Sequence, residues 1–206
     1  MTLTRKALLL LVVLVVGLFL WRTFFYAPVT NKQPSGTHII AFGDSLTAGV
    51  GAGQGEDYPS QLAEMCGKPI VNKGVPGETT ADALRRLDKD VIENDPRIVI
   101  ILLGGNDLLQ RLPRTQTFSN LDSMVQQIHA TGALVVLVGI KGLPFTDHFG
   151  PEYKRVAHAR GAIFVGNVLS GIIDNPKLKA DQVHPNAAGY KIIAERVHSA
   201  IKPYLR

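Results

Sequence analysis

The sequence predicts a three-layer α/β/α domain around a parallel sheet of about five strands, preceded by an N-terminal hydrophobic helix. Three observations lead there. From residue 38 onward, apolar runs of strand length alternate with amphipathic stretches of helical length. Two of the runs, "RIVIILLG" at 97–104 and "ALVVLVGI" at 133–140, are almost unbroken Val, Ile and Leu, as expected of strands covered on both faces. Residues capable of chemistry follow the runs at their carboxyl ends, where open α/β sheets place their sites.

Taken in order, the elements are a strand "HIIAF" at 38–42, a helix over 58–66, a strand "PIVNKG" at 69–74 and a helix from Thr79 to Glu93. Then come strand 97–104, a helix over 117–131, strand 133–140, a helix over 150–160, strand "AIFVG" at 162–166 and a last helix over 186–203. Right-handed crossovers join parallel strands through such helices. The Thr residues of "GETTAD" and Asn186 after "HP" are suitable helix starts. No internal repeat interrupts the order.

The first thirty residues read differently. "ALLLLVVLVVGLFLW", Ala7 to Trp21, follows Arg5 and Lys6 as in an export signal. Counting on to Tyr26 admits one charge, Arg22, and makes about 30 Å of helix, enough to span a bilayer core. With basic residues leading, the N-terminus faces the cytoplasm and the body lies outside, periplasmic or extracytoplasmic. "RTFFYAPVT" offers no A-x-A cleavage site, which favours an uncleaved anchor over a cleaved, soluble form. The expected division is a signal anchor or signal peptide at 1–30, a polar tether at 31–37 and a domain at 38–206. Such an anchor is expected to hold the site near lipid.

Composition excludes several classes. The net charge is +5, but Arg5, Lys6 and Arg22 account for three of it. The remainder is too small to favour a nucleic-acid partner. One cysteine, Cys66, excludes an internal disulfide and a multi-cysteine metal site. "GVGAG" lacks the lysine of a phosphate-binding loop. Its small residues are expected to let an acyl chain or the next helix approach.

The candidate site is read from the strand ends: Ser45, then Gly74 to Gly77, then Gly104 to Asp107, then the "KGLP" loop at 141–144. Asp181 and His184 precede the last helix. A serine hydroxyl needs an imidazole to take its proton, and the imidazole needs an acceptor to fix its tautomer. Ser45, His184 and Asp181 have those chemistries. The backbone N–H groups of Ser45 and Gly77 and the amide of Asn106 are candidate donors to an oxyanion. Each also has an ordinary role: Ser45 as a cap, Gly77 as a turn, Asn106 and Asp107 as an Asx turn, His184 and Asp181 as surface loop residues. Their order along one sheet edge favours the joint reading.

"FGDSLTAG", "NKGVPGETT", "LLGGND" and "DQVHPN" resemble, in order and spacing, the four blocks of the GDSL, or SGNH, hydrolase family. The resemblance covers residues 38–203 and is closest to the bacterial arylesterase, acyl thioesterase and lysophospholipase branch. It implies the flavodoxin-like SGNH hydrolase fold and an esterase with Ser45 as nucleophile, His184 as base and Asp181 orienting it. It also implies an oxyanion hole of Ser45, Gly77 and Asn106, and no metal or organic cofactor. Gln182 and Val183 depart from the usual wording before "HP" but keep the spacing. The loop "KGLPFTDHFGPEY" departs more, so acyl length does not transfer.

The substrates expected are small lipid-like or aryl esters or thioesters, with the membrane met through the N-terminal segment and no obligate protein partner. An O-acetylesterase acting on an envelope or extracellular glycan uses the same chemistry. A large apolar pocket favours the first and a short polar cleft the second. A non-catalytic binding module would have lost Ser45, Asp181 or His184, and none is lost. Among other residues, Asp44 is expected to bond backbone in the glycine turn, and Asp147 and His148 to lie at the pocket mouth. His129, His158 and His198 are expected to be structural, and Lys191, Arg196, Lys202 and Arg206 to form a solvated face.

Overall fold

Five parallel strands form one sheet in the order β2-β1-β3-β4-β5. They are β1 (His38–Gly43), β2 (Ile70–Gly74), β3 (Pro96–Leu102), β4 (Leu134–Val138) and β5 (Ile163–Val165). The computed structural model describes residues 11–13, 15–16, 28–141 and 149–205. Most of the apolar run 7–26, and with it the anchor reading, lies outside these residues, as do Asp147, His148 and Arg206. Among the described residues no helix is long and apolar enough to cross a membrane.

The Val/Ile/Leu runs behave as expected of doubly covered strands. Ile98 to Leu102 and all of β4 are buried, with Ile98 beside Leu134 and Ile101 beside Leu137. Each such side chain contributes about 1.5–3 kcal/mol when fully buried. One face is covered by α2 (Tyr58–Cys66) and α8 (Ala187–Ile201), which pack on each other; α3 (Thr80–Arg85), α6 (Arg114–Ala130) and α7 (Phe149–Arg160) cover the opposite face. Phe118 of α6 meets Phe149 and Tyr153 of α7 edge to face, with ring centroids 5.3 and 5.0 Å apart.

Some elements differ from expectation. The helix expected over 79–93 breaks into α3, α4 (Leu87–Asp90) and a 3₁₀ turn at Ile92–Asn94. The break is at Arg86, which leaves helical geometry with φ −105° and ψ 4°. Its guanidinium is recruited elsewhere: it donates to Glu78, Asp90 and the Gly43 carbonyl and lies 4.3 Å from the centre of the Phe42 ring. Two short helices, α1 (Ser45–Ala48) and α5 (Gly105–Leu109), are too brief to show a period in sequence. Helix α6 begins directly after Pro113, three residues before the expected start. On α8, Arg196 is a brace rather than a solvated charge, because it donates to the Val168 and Ser170 carbonyls.

Residues 30–37 lie along the amino edge of the sheet as a strap. Thr30 donates its N–H to the Gly161 carbonyl, and Asn31 Nδ2 bridges the His129 and Ala133 carbonyls. Ser35 N–H reaches Gly132, and Arg97 donates to the Pro34 carbonyl. Every one of these partners sits where a strand begins or a preceding helix ends. The chain therefore joins the body at the edge opposite the strands' carboxyl ends.

Candidate active site

The strand order reverses direction between β1 and β3: β2 lies on one side of β1, while β3, β4 and β5 follow on the other. A crevice opens at the carboxyl edge at such a point. Ser45 follows β1 there, and Asn106 follows β3.

Asp44 makes the turn that presents Ser45. Its carboxylate accepts the Leu46 N–H at 3.0 Å and caps α1, so Ser45 stands in the first turn of that helix. This is the backbone role expected of Asp44. Burial pushes its carboxyl up to about 6, against the opposing pull of the Leu46 N–H.

His184 arrives on the loop before α8, whose N-cap is Asn186, as expected. Its Nε2 lies 3.0 Å from Ser45 Oγ, and its Nδ1 lies 2.7 Å from Asp181 Oδ2. The other Asp181 oxygen accepts the N–H groups of Val183 and His184, both at 2.8 Å. The His184 hydrogen bond first, and these two backbone donors next, hold Asp181 down to about 2. An ionised carboxylate only accepts, so the imidazole proton belongs on Nδ1 and Nε2 is left to accept from Ser45. Ser45, His184 and Asp181 are thus joined in one hydrogen-bonded chain.

Gly51 explains how the histidine loop comes so close. A Cβ there would lie 2.7 Å from the Pro185 oxygen, 2.9 Å from Ala180 Cβ and 3.2 Å from His184 Cβ. Glycine is needed both for that approach and for φ +95°. The small residues of "GVGAG" therefore admit the histidine loop at Gly51 and, as expected, the next helix at Gly49, where a Cβ would lie 2.4 Å from Cβ of Asp57, the N-cap of α2. Tyr190 ties the same turn to α8 by donating to the Val50 carbonyl at 2.7 Å.

The expected oxyanion donors converge on the same cavity. Ser45, Gly77, Asn106 and His184 all line it, and Gly77 turns with φ +84°. Asn106 Nδ2 donates one proton to the Glu78 carbonyl at 2.8 Å, which fixes the amide and leaves its second N–H available. Helix α5, which carries Asn106, is pinned from below by Asp107. That carboxylate, 2% exposed, accepts the Thr80 N–H at 2.9 Å and the Thr80 and Thr117 hydroxyls at 2.6 and 3.1 Å. Asp107 is a clasp between helices, and no nearby sequence signal reveals partners ten and twenty-seven residues away.

The cavity measures about 340 Å³ and is walled chiefly by apolar side chains, among them Leu46, Val50, Leu108, Ile140 and Leu169. Leu169, from the loop after β5, was not foreseen. Of the expected "KGLP" loop, Lys141 lines the cavity and residues 142–144 lie outside the described residues. Cys66 is half-buried on α2, where burial pushes its thiol up. Burial lowers His129 to about 4, consistent with a structural histidine. Among the described residues there is no cluster of three or more metal-ligating side chains.

The sequence matches the GDSL-like lipase/acylhydrolase family over residues 41–192. It is 30% identical to the esterase TesA of Pseudomonas aeruginosa, with 85% of this chain and 92% of that protein aligned. It is 29% identical to an arylesterase of Vibrio mimicus, over 81% of this chain and 89% of the relative. With the thioesterase 1/protease 1/lysophospholipase L1 of Escherichia coli K12 it shares 24% identity, over 91% and 95% of the two chains. The crystal structure of TesA superposes with a TM-score of 0.77 at 30% identity, covering 82% of this chain and 99% of that one. The chain belongs to the GDSL-like lipase/acylhydrolase family and is a carboxylic ester hydrolase.

Proposed function

We propose that the chain hydrolyses carboxylic ester or thioester bonds of lipid-like or aryl acyl substrates through an acyl-enzyme on Ser45. The observation that supports this most is the hydrogen-bonded chain Ser45–His184–Asp181 beside an apolar groove. In this reading Ser45 Oγ attacks the substrate carbonyl carbon as its proton passes to His184 Nε2. Asp181, ionised across the working pH range, stabilises the imidazolium. The negative oxygen is met by the N–H groups of Ser45 and Gly77 and by the Asn106 amide, one such donor being worth about 2.7–4 kcal/mol of transition-state stabilisation. The carbon–oxygen or carbon–sulfur bond then breaks, and His184 gives the proton to the departing alcohol or thiol. Water attacks the acyl-enzyme by the same route, releasing the acid and restoring Ser45.

The groove supports an extended acyl or aryl group. Its walls offer apolar contact and few polar partners, which is the reverse of what a glycan acetyl ester requires. We also propose that residues 1–30 direct export and that residues 7–26 remain as an anchor. The apolar run behind Arg5 and Lys6 supports a body outside the cytoplasm, with residues 38–206 as the hydrolase domain.

The test is hydrolysis of a p-nitrophenyl ester series from acetyl to palmitoyl, with an acyl thioester alongside and Ser45→Ala as control. A Ser45-dependent optimum at medium or long chains is expected. Activity confined to acetyl would move the substrate to acetylated glycans, and activity that survives Ser45→Ala would overturn the mechanism.

A further inference from the structure

Between residues 28 and 205, the exposed large apolar side chains among those described are Val75, Leu109, Leu112 and Val183. Single exposed apolar residues are ordinary when scattered. Here all four share one edge. Val75 follows β2, Leu109 and Leu112 lie at and beyond the end of α5, and Val183 precedes His184. Leu109, 64% exposed, and Val183 also line the groove, so its apolar wall continues onto the outer surface around Ser45.

Two cations stand on this rim without a carboxylate partner among the described residues. Lys141 and Arg111 are exposed among the apolar residues, and Lys141 lines the groove mouth. Of the neighbouring carboxylates, Glu78 is paired with Arg86, and Asp181 keeps its charge but is held against His184. An apolar ring with free cations is the pattern of a surface that sits at a lipid–water boundary, apolar side chains among acyl chains and cations at the phosphates.

We infer that the rim formed by Val75, Leu109, Leu112 and Val183, with Lys141 and Arg111, is a docking surface for packed anionic ester lipids. It seats the groove directly on the aggregate from which an acyl chain is drawn. The inference deepens the esterase reading and rests on it for the substrate, while the docking itself is measured separately.

Val75 and Leu112 do not line the groove, so they report docking apart from chemistry. In the full chain, Val75→Ser with Leu112→Ser is expected to leave hydrolysis of monomeric p-nitrophenyl butyrate within about twofold. Hydrolysis of micellar ester lipid should fall about tenfold, since two partly buried apolar contacts are lost. A direct reading places Leu112→Trp in a Trp21→Phe background and adds vesicles of phosphatidylcholine with phosphatidylglycerol. The emission is expected to shift to shorter wavelength, and further as the anionic fraction rises. Unchanged emission overturns the proposal, as does an equal loss on monomeric and micellar substrate. Dissociation of a dimer by the double variant, without an emission shift in the tryptophan variant, overturns it in favour of a second copy of this chain. An emission shift in a protein inactive on every ester would support the docking and sink the esterase reading.

Discussion

Gly51 lies so close to the loop carrying His184 that a side chain there would meet it, an added Cβ falling 3.2 Å from His184 Cβ and 2.7 Å from the Pro185 oxygen. The glycine lies just beyond the helix carrying Ser45, and the histidine lies far along the chain on another loop. The separation of nucleophile and base is therefore set by the absence of one methyl group. Gly51→Ala is expected to displace the 180–185 loop, lengthen the Ser45–His184 hydrogen bond and lower kcat by about 10²-fold, the scale of an ångström's misplacement. Steady-state kinetics beside circular dichroism would check this; full activity in the Gly51→Ala variant would show that the loop relaxes without cost.

Asp181 accepts from His184 Nδ1 and from two backbone N–H groups. Asp181→Asn keeps the shape but removes the charge and offers the imidazole a donor. A fall in kcat of about 10²–10⁴-fold is expected, as for a wrong tautomer. Because the folded carboxyl is depressed to about 2 from an ordinary 3.8, its contribution is complete above 3.8 and lost only as pH falls through 2. Asp181 is therefore ionised throughout the range from about pH 5 to 8, and the deficit of the variant is expected at its full size at about pH 8, where steady-state kinetics would check it. Equal kcat of parent and variant there would show that Asp181 is not the ionised partner.

Asp44 has the opposite linkage. Its folded value is raised to about 6, so its carboxyl favours the fold below 3.8, and that contribution is lost as pH rises through 6. Asp44→Asn retains an oxygen for the Leu46 N–H without a buried charge. Urea unfolding at pH 8 is expected to find this variant more stable by about 3 kcal/mol, with the difference vanishing below about pH 4. Equal stability of the two proteins at both pH values would refute it.

Asn106 and Asp107 are adjacent but do different work. Asn106→Ala is expected to keep its fold and still react with an alkyl phosphonate on Ser45, while kcat falls about 10²–10³-fold. Asp107→Ala leaves the Thr80 N–H without its acceptor in a buried place, and is expected to cost about 3 kcal/mol in stability. Calorimetry on the two variants would separate them; identical melting temperatures would contradict the clasp.

The strands and the site's membership were legible because both are written locally. Val/Ile/Leu runs declare doubly covered strands, and the groups after each run declare what the carboxyl edge holds. Capping residues Thr79 and Asn186 were legible for the same reason, since a cap bonds three residues away. What is not written locally depends on distant partners. Arg86 breaks a helix to serve Gly43, Asp107 grips Thr80 and Thr117, and Leu169 reaches the groove from beyond β5. Gly51 was visible as a glycine, but its reason lies in a loop more than a hundred residues later.

The strap at residues 30–37 grips the amino edge of the sheet, whereas Ser45 stands at the carboxyl edge. The seven residues of β3 alone separate those edges by about 23 Å at roughly 3.3 Å per residue. The segment that enters the body and the mouth that admits substrate are thus held at opposite ends of one sheet. A tether or label attached at Thr30 is therefore expected to leave the groove uncovered.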